Sequence, residues 1–160
     1  MSSLRIRVSP RTSVRRRIAS IVLATLAVLV VCAIPAQVHA QSGTWSSAGT
    51  SAWNNTARWT GGIVAGGTNN TATFTTTGTA SLLSNIVLGN LNTGSGRVQI
   101  RSGTQANYVD LTNERIEFAT TSGTPTIINT GRLDMFAIIA GSQGLTKSGA
   151  GTMYLNRPNT

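Results

Sequence analysis

Apolar residues between positions 41 and 160 recur in short groups that clusters of Gly, Asn, Ser and Thr separate. This spacing is typical of many short β-strands. A helical period of apolar residues is not found in this region. The predicted strands are Ala72–Thr76, Ser81–Leu88, Arg97–Arg101, Tyr108–Leu111, Arg115–Ala119, Thr126–Ile128, Leu133–Ile139, Gly144–Lys147 and Thr152–Leu155. The sequence therefore predicts an all-β fold.

Several predicted strands alternate between apolar and polar residues. In the run from Arg97 to Arg101, Val98 and Ile100 share one side of the strand, and the arginines and Gln99 share the other. The alternation predicts one buried face and one solvated face for each strand. A sandwich of two sheets satisfies this pattern as well as a coiled stack of strands does.

The amino end has the pattern of an export signal. Six arginines precede an apolar run, Ile18–Ala36, and no acidic residue lies among them. Small or slim residues at Val38 and Ala40 predict cleavage between Ala40 and Gln41, after a helical signal peptide at 1–40. The apolar run nearly reaches the length of a membrane span, so an uncleaved anchor is the alternative. Pro35 favours cleavage.

Removal of the signal changes the meaning of the charge. The whole chain has a formal net charge of +9, but residues 1–40 contain six of its 13 basic residues, its only histidine and its only cysteine. The seven basic residues that remain are spread along the sequence, whereas nucleic-acid binding needs them clustered on one face. The sequence thus predicts no nucleic-acid partner. Without cysteine, residues 41–160 contain no disulfide.

The sequence after residue 40 offers little for catalysis. Its four acidic residues are Asp110, Glu114, Glu117 and Asp134. Without histidine a histidine-based triad is excluded, and Glu114 and Glu117 project to opposite faces of a strand. Asp110 and Asp134 align on neighbouring coils only if a coil has about 24 residues. We therefore predict no enzyme, no cofactor and no metal site, because calcium also needs several clustered oxygen ligands.

The last 17 residues contain a motif of glycines, threonines and apolar residues at fixed spacing. Its residues are Gly144, Leu145, Thr146, Lys147, Gly149, Gly151, Thr152, Leu155, Asn159 and Thr160. This stretch resembles the autotransporter-associated β-strand repeat of secreted bacterial surface proteins. The resemblance implies a right-handed parallel β-helix with a structural function in passenger secretion and folding. It also implies a secreted, cell-surface or outer-membrane-associated location, with the export machinery as a partner.

The repeat and the many glycine and asparagine turns favour a solenoid over a sandwich, because β-helix coils need corners where positive φ is tolerated. Four regions are predicted: a signal peptide at 1–40, the solenoid start at 41–79, coils at 80–143 and a truncated repeat at 144–160. In such a solenoid the strands stack in parallel around a hydrophobic column. The residues predicted for the column are Ile100, Leu111, Phe118, Ile128 and Leu155.

All three tryptophans of the chain, Trp45, Trp53 and Trp59, lie within the predicted solenoid start. One interpretation is that their rings plug the end of the hydrophobic column. The other is that they stack on sugar rings, which makes the chain an adhesin or carbohydrate-binding module for surface glycans on host or neighbouring cells. The sequence leaves both interpretations open.

Overall fold

A computed structural model describes residues 40–103 and 113–159 of the chain. These residues belong to one compact unit, Val38–Thr160. The predicted signal helix, the predicted strand Tyr108–Leu111 and Thr160 lie outside the described residues. Within these residues the chain is mostly β-strand, and the prediction of an all-β protein is confirmed.

Twelve strands follow one another in the described ranges. They are β1 (Gly43–Trp45), β2 (Gly49–Ala52), β3 (Gly67–Phe74), β4 (Gly78–Leu82), β5 (Ile86–Thr93), β6 (Arg97–Ser102), β7 (Arg115–Phe118), β8 (Thr126–Asn129), β9 (Arg132–Phe136), β10 (Ile138–Ala140), β11 (Thr146–Ser148) and β12 (Thr152–Leu155). Two 3₁₀ turns, Thr56–Arg58 and Thr60–Gly62, lie between β2 and β3. Asn55 caps the first turn by accepting a hydrogen bond from the amide of Ala57.

The strands form two parallel sheets. The first sheet has the order β1-β3-β5-β7-β10, with β8 also paired to β5 and β11 paired to β8. The second sheet has the order β12-β9-β6-β4-β2. Among the described strands every ladder is parallel, as the sequence predicted, and two isolated bridges near the amino end are antiparallel.

The chain alternates between the two sheets as it advances. From β1 to β6 each strand lies in the sheet opposite to its predecessor, and β9 and β12 return to the second sheet. Strand register in that sheet joins Gly78 to Val98, Val98 to Leu133, and Leu133 to Met153. Both sheets contribute side chains to a single buried apolar cluster, which therefore lies along the stack.

Of the five residues predicted for the hydrophobic column, the structure describes four, and two of them are buried and two are exposed. Ile100 and Phe118 are buried, whereas Ile128 is 43% exposed and Leu155 is 47% exposed. Ile127, the neighbour of Ile128, occupies the buried position instead. The prediction chose the wrong residue because two adjacent isoleucines leave the buried face of the strand ambiguous. Leu155 aligns with the buried Met135, but no described strand covers its other side. Leu111 lies outside the described ranges.

Some strand boundaries also differ from the prediction. The run Ser81–Leu88 contains the end of β4, a bend and the start of β5, and the run Leu133–Ile139 is divided at Ala137. At Ala137 apolar residues continue through the break, so the pattern alone did not reveal it, whereas the bend in the first run contains the polar residues Ser84 and Asn85. Strands β1 and β2 were not predicted, because they are short and rich in Gly, Ser and Thr.

A column of three glycines allows the second sheet to stack tightly at its corner. Gly96, Gly131 and Gly151 immediately precede β6, β9 and β12, whose first residues are in register. A Cβ on Gly131 would lie 2.3 Å from the carbonyl oxygen of Gly96, and one on Gly151 would lie 2.2 Å from that of Gly131. No side chain fits at such distances. Gly131 and Gly151 therefore lie where the backbones of successive strands approach most closely.

Candidate functional site

The outer face of the second sheet holds the main group of charged side chains in the described part of the chain. Arg97 on β6 is in register with Arg132 on β9. In the next outward-facing row, Gln99 on β6, Asp134 on β9 and Tyr154 on β12 are in register. Side chains of one strand alternate between faces, so these five residues share the face opposite to the apolar cluster. We call them the outer-face cluster.

Asp134 is at the centre of this cluster and is almost completely buried. Its Oδ2 accepts a hydrogen bond from Nε of Arg97 at 2.6 Å, and its Oδ1 accepts one from Nε of Arg132 at 2.9 Å. The side chain of Asp134 is only 2% exposed, whereas those of Arg97 and Arg132 are 46% and 49% exposed. The carboxylate therefore lies beneath two arginines and joins neighbouring strands β6 and β9.

The charge of Asp134 is maintained by its partners. Burial raises the pKa of the Asp134 carboxyl, but the hydrogen bonds and charges of Arg97 and Arg132 lower it by more, so the pKa lies below its ordinary value of 3.8. Asp134 is thus ionised at neutral pH. Since one carboxylate faces two guanidinium groups, this trio has a net positive charge.

The aromatic ring of Tyr154 and the amide of Gln99 make further contacts within the cluster. The guanidinium carbon of Arg132 lies 4.6 Å from the centre of the Tyr154 ring, which is a cation–π distance. Gln99 accepts hydrogen bonds at its Oε1 from Oγ1 of Thr79 and from Nη2 of Arg101. These contacts fix the long side chains against the sheet.

Sequence reasoning missed this cluster because it treated the basic residues as dispersed. The structure brings Arg97, Arg101 and Arg132 together on one face, although other strands separate the first two from the third in sequence. The signal was the alternation of Arg and apolar residues in two separate strands, Arg97–Ser102 and Arg132–Phe136. Only the strand register shows that these strands are neighbours.

The three tryptophans lie at the other end of the stack and are buried. Trp45, Trp53 and Trp59 are at most 3% exposed, and their rings pack against one another and against Phe74 at centroid distances of 5.1–6.0 Å. Stacking on a sugar needs an exposed ring face, which these residues do not offer in this structure. The burial favours the interpretation that they plug the end of the column and argues against glycan contact by the three rings.

The indole nitrogens are satisfied within the plug. Nε1 of Trp53 donates to the carbonyl oxygen of Ala65 at 2.9 Å, and Nε1 of Trp59 donates to that of Trp53 at 2.6 Å. Beside the plug lies a cleft of about 250 Å³ that is lined mainly by hydroxyl side chains. Its lining residues are Ser42, Gly43, Thr44, Thr60, Ile63, Thr71 and Thr73.

The motif residues at the carboxyl end form the last described layer of the stack. Thr146 and Lys147 belong to β11, Thr152 and Leu155 belong to β12, and Leu145 packs at the edge of the apolar cluster. Gly144 and Gly149 have positive φ angles of 73° and 80°, as expected for corners of the chain. Asn159 Oδ1 accepts a long hydrogen bond, 3.4 Å, from the amide of Ile139.

An apolar cavity of about 240 Å³ opens at this end of the stack. Its lining includes Phe118, Ile139, Leu145 and Leu155. Unlike the cleft at the amino end, this cavity presents few polar groups. It is a place where the hydrophobic column reaches the surface.

Apart from Asp134, the remaining predicted positions that the structure describes are separate from the outer-face cluster. Ala40 is exposed, and Gln41 forms an antiparallel bridge with Gly66. Glu114 accepts a hydrogen bond from Oγ of Ser102, and Glu117 lies on β7 in the first sheet. Asp134 is in register with Gln99 and Tyr154, while Asp110 lies outside the described residues.

In residues 40–103 and 113–159, no group of three or more His, Cys, Asp or Glu side chains is placed to hold a metal ion. The same ranges contain no helix that is long and apolar enough to cross a membrane. Comparisons with protein-family models, with curated proteins and with solved structures find no match to this chain. Its function must therefore be inferred from its own residues.

Proposed function

We propose that this chain is a right-handed parallel β-helix segment that serves as a structural passenger element of an exported bacterial surface protein. The alternation of consecutive strands between two parallel sheets carries this proposal, because a chain that winds around a buried column produces that order. The right hand follows from the strong preference of connections between parallel strands. Secretion and display at the cell surface are the proposed use of the fold.

The two ends of the stack support a structural function. At the amino-terminal end, the segment of the first 3₁₀ turn covers the outer edge of β1. The amide of Ser46, which follows β1, donates to the carbonyl oxygen of Arg58 in that segment. Strand β12 at the other end has one described partner, β9. The first sheet is therefore covered beyond β1, and β12 leaves an edge to which a further strand can add, which suits a passenger that folds progressively by stacking each coil on the previous one.

The sequence of residues 1–40 supports export. The repeat-like motif at 144–160 supports the proposal that the chain is part of a passenger domain. The arginine-rich start, the apolar run and the small residues before Gln41 together have the order of a cleaved signal. The motif residues contribute β11, β12 and the corner glycines of the last described layer. Both observations agree with a chain that folds after it leaves the cytosol.

The export part of the proposal is tested by expressing the full chain in a Gram-negative host. We expect mass spectrometry of the exported protein to find Gln41 as its first residue, and added protease to digest the protein on intact cells. The variant Leu26→Arg places a charge in the apolar run and should abolish export, whereas Ser13→Arg adds the same charge outside that run and should not. Equal export of both variants would contradict a signal function of residues 1–40.

The winding part of the proposal is tested by disulfide trapping between neighbouring strands. Val87 on β5 and Glu117 on β7 are in register and both are accessible, so the double variant Val87→Cys, Glu117→Cys should oxidise readily. A control pair, Val87→Cys with Arg115→Cys, is displaced by two residues along β7. Its Cα atoms should be too far apart for a disulfide. Preferential cross-linking of the control pair would exclude this parallel register.

A further inference from the structure

We propose that the outer-face cluster binds an acidic polysaccharide through the guanidinium groups of Arg97 and Arg132. The ligand chemistry is a carboxylate or sulfate group on a sugar chain. This goes beyond the structural function, because it assigns an adhesive surface to strands β6, β9 and β12 of the second sheet. It also differs from glycan contact by the tryptophans, whose rings are buried.

The two arginines are held in place before any ligand arrives. Each uses its Nε to donate to Asp134, and in the described residues neither has a hydrogen bond from its terminal Nη nitrogens. Both side chains are about half exposed. Guanidinium N–H groups form short, charge-assisted hydrogen bonds with carboxylate and sulfate oxygens, and fixing the side chain in advance lowers the entropy lost on binding.

Asp134 is a positioning residue in this arrangement. It is too deeply buried to touch a ligand, but it anchors both arginines from below. It offsets one of their two charges and leaves the trio positive. Arg101, which donates to Gln99 in the neighbouring row, adds a further positive group to the same face.

Tyr154 supplies the apolar surface that sugar recognition uses. Its side chain is 45% exposed, and it is in register with Asp134 on the last strand of the sheet. Arg132 lies against its ring, so the charged and aromatic groups form one continuous surface. A sugar ring with an acidic substituent can contact both groups at once, since its C–H face packs on apolar surface while its anionic oxygens reach the arginines.

The small number of charges favours a glycan over a nucleic acid. Tight binding to nucleic acids usually rests on about 6–10 phosphate contacts. Here three arginines and one acid share the face, and Arg115 and Lys147 belong to strands of the first sheet. An acidic polysaccharide can be recognised locally, through one charged sugar unit at a time.

The test measures binding of the purified protein to immobilised polygalacturonate, which is carboxylated, and to heparin, which is sulfated. Neutral dextran and a single-stranded oligonucleotide serve as comparisons. We expect binding to one or both acidic polysaccharides, and the pattern identifies which acid group is recognised. Arg97→Gln and Arg132→Gln should each weaken binding by about tenfold, as loss of a charge-assisted hydrogen bond predicts. Arg115→Gln, an exposed arginine on β7, is the matched control and should leave binding unchanged.

Two further variants separate preorganisation from simple attraction between charges. Asp134→Asn adds to the positive charge of the face, so attraction alone would strengthen binding, whereas loss of the anchor should weaken it. Tyr154→Leu replaces a 45% exposed side chain on the last described strand, so we expect it to fold, and it should weaken binding without changing the net charge. This variant also keeps the proposal testable if Arg97→Gln does not fold.

Several results would overturn the proposal. They are failure to bind either acidic polysaccharide, equal binding of neutral dextran, and tighter binding of the oligonucleotide than of both polysaccharides. Equal affinities of Arg97→Gln, Arg132→Gln and Arg115→Gln would also exclude it, provided that circular dichroism shows the same fold for the three variants.

Discussion

The amino-terminal and carboxyl-terminal ends of the two sheets differ in how well their apolar side chains are shielded from solvent. Each end consists of edge strands of the two parallel sheets and of one end of the buried apolar cluster between them. At the amino end, three buried tryptophans fill the column, and the segment that carries Trp59 lies along the edge of β1. At the carboxyl end, Leu155 is 47% exposed and an apolar cavity opens beside it. The difference shows that the ends are not equivalent: buried rings and the segment of Trp59 cap β1 at one end, and apolar groups are exposed at the other.

The strongest test of this comparison removes one apolar side chain from each end. Trp53→Ala should lower the free energy of unfolding by about 3–5 kcal/mol, because a buried ring and its hydrogen bond to Ala65 are lost. Leu155→Ala removes a half-exposed side chain and should change it by about 0.5 kcal/mol or less. Urea unfolding monitored by circular dichroism measures both. Similar losses at the two ends would show that the tryptophans are not a cap.

The second prediction concerns acid sensitivity, because an ion pair supports the carboxyl-terminal strands whereas apolar rings support the amino-terminal end. The pKa of Asp134 is lowered in the folded protein, so its stabilising effect is complete above the ordinary value of 3.8 and is lost as the pH falls through the folded value. Asp134→Asn should cost about 1.5–3 kcal/mol at pH 7, where two charged hydrogen bonds are lost. The difference between wild type and variant should shrink at pH 2.

Glu117→Gln is the control for this pH dependence. Glu117 is an acidic residue on β7, in the first sheet, and its contacts do not include the two arginines of the outer-face cluster. Its replacement should change stability little at either pH. A constant difference between wild type and Asp134→Asn from pH 7 to pH 2 would show that folding does not lower the pKa of Asp134.

Sequence patterns predicted much of the local structure on which this comparison rests. Alternation located β6 and β7, including the buried Val98, Ile100, Ile116 and Phe118. The parallel stacking followed from the glycine-rich corners and the repeat-like motif. These features are local, because the period of two and the corner glycines are determined within a few residues.

Features that depend on strand register could not be predicted from the sequence. To predict that Arg97 pairs with Arg132, one must know how long the connection from β6 to β9 is. That length is not constant, because the connection from β9 to β12 is shorter. No periodic pattern in the sequence marks this change. The outer-face cluster therefore could not be predicted, and neither could the exposure of Leu155, which depends on what lies above it.

The third prediction tests the close stacking of the corner glycines. Gly131→Ala should destabilise the fold by about 1–3 kcal/mol, because its Cβ would collide with the backbone of Ser95 and Gly96. Gly66→Ala is the matched control, since a Cβ there meets no atom within 4 Å and the residue has no positive φ. The control should be neutral in thermal unfolding. Equal melting temperatures for the two variants would exclude tight stacking at this corner.

The last prediction compares backbone amides at the two edges by hydrogen exchange. The amide of Thr152 donates to Gly131, just before β9, and that of Asn156 donates to Met135 in β9. The alternation of a strand therefore directs the amides of Met153 and Leu155 to the open side. At the amino end, Ser46 follows β1, the edge strand of the first sheet, and its amide donates to the carbonyl oxygen of Arg58. We expect the amides of Met153 and Leu155 to exchange faster than that of Ser46, by a factor on the order of 100 or more. Equal protection would mean that another strand already covers the open end, and the contrast between cap and open surface would be lost.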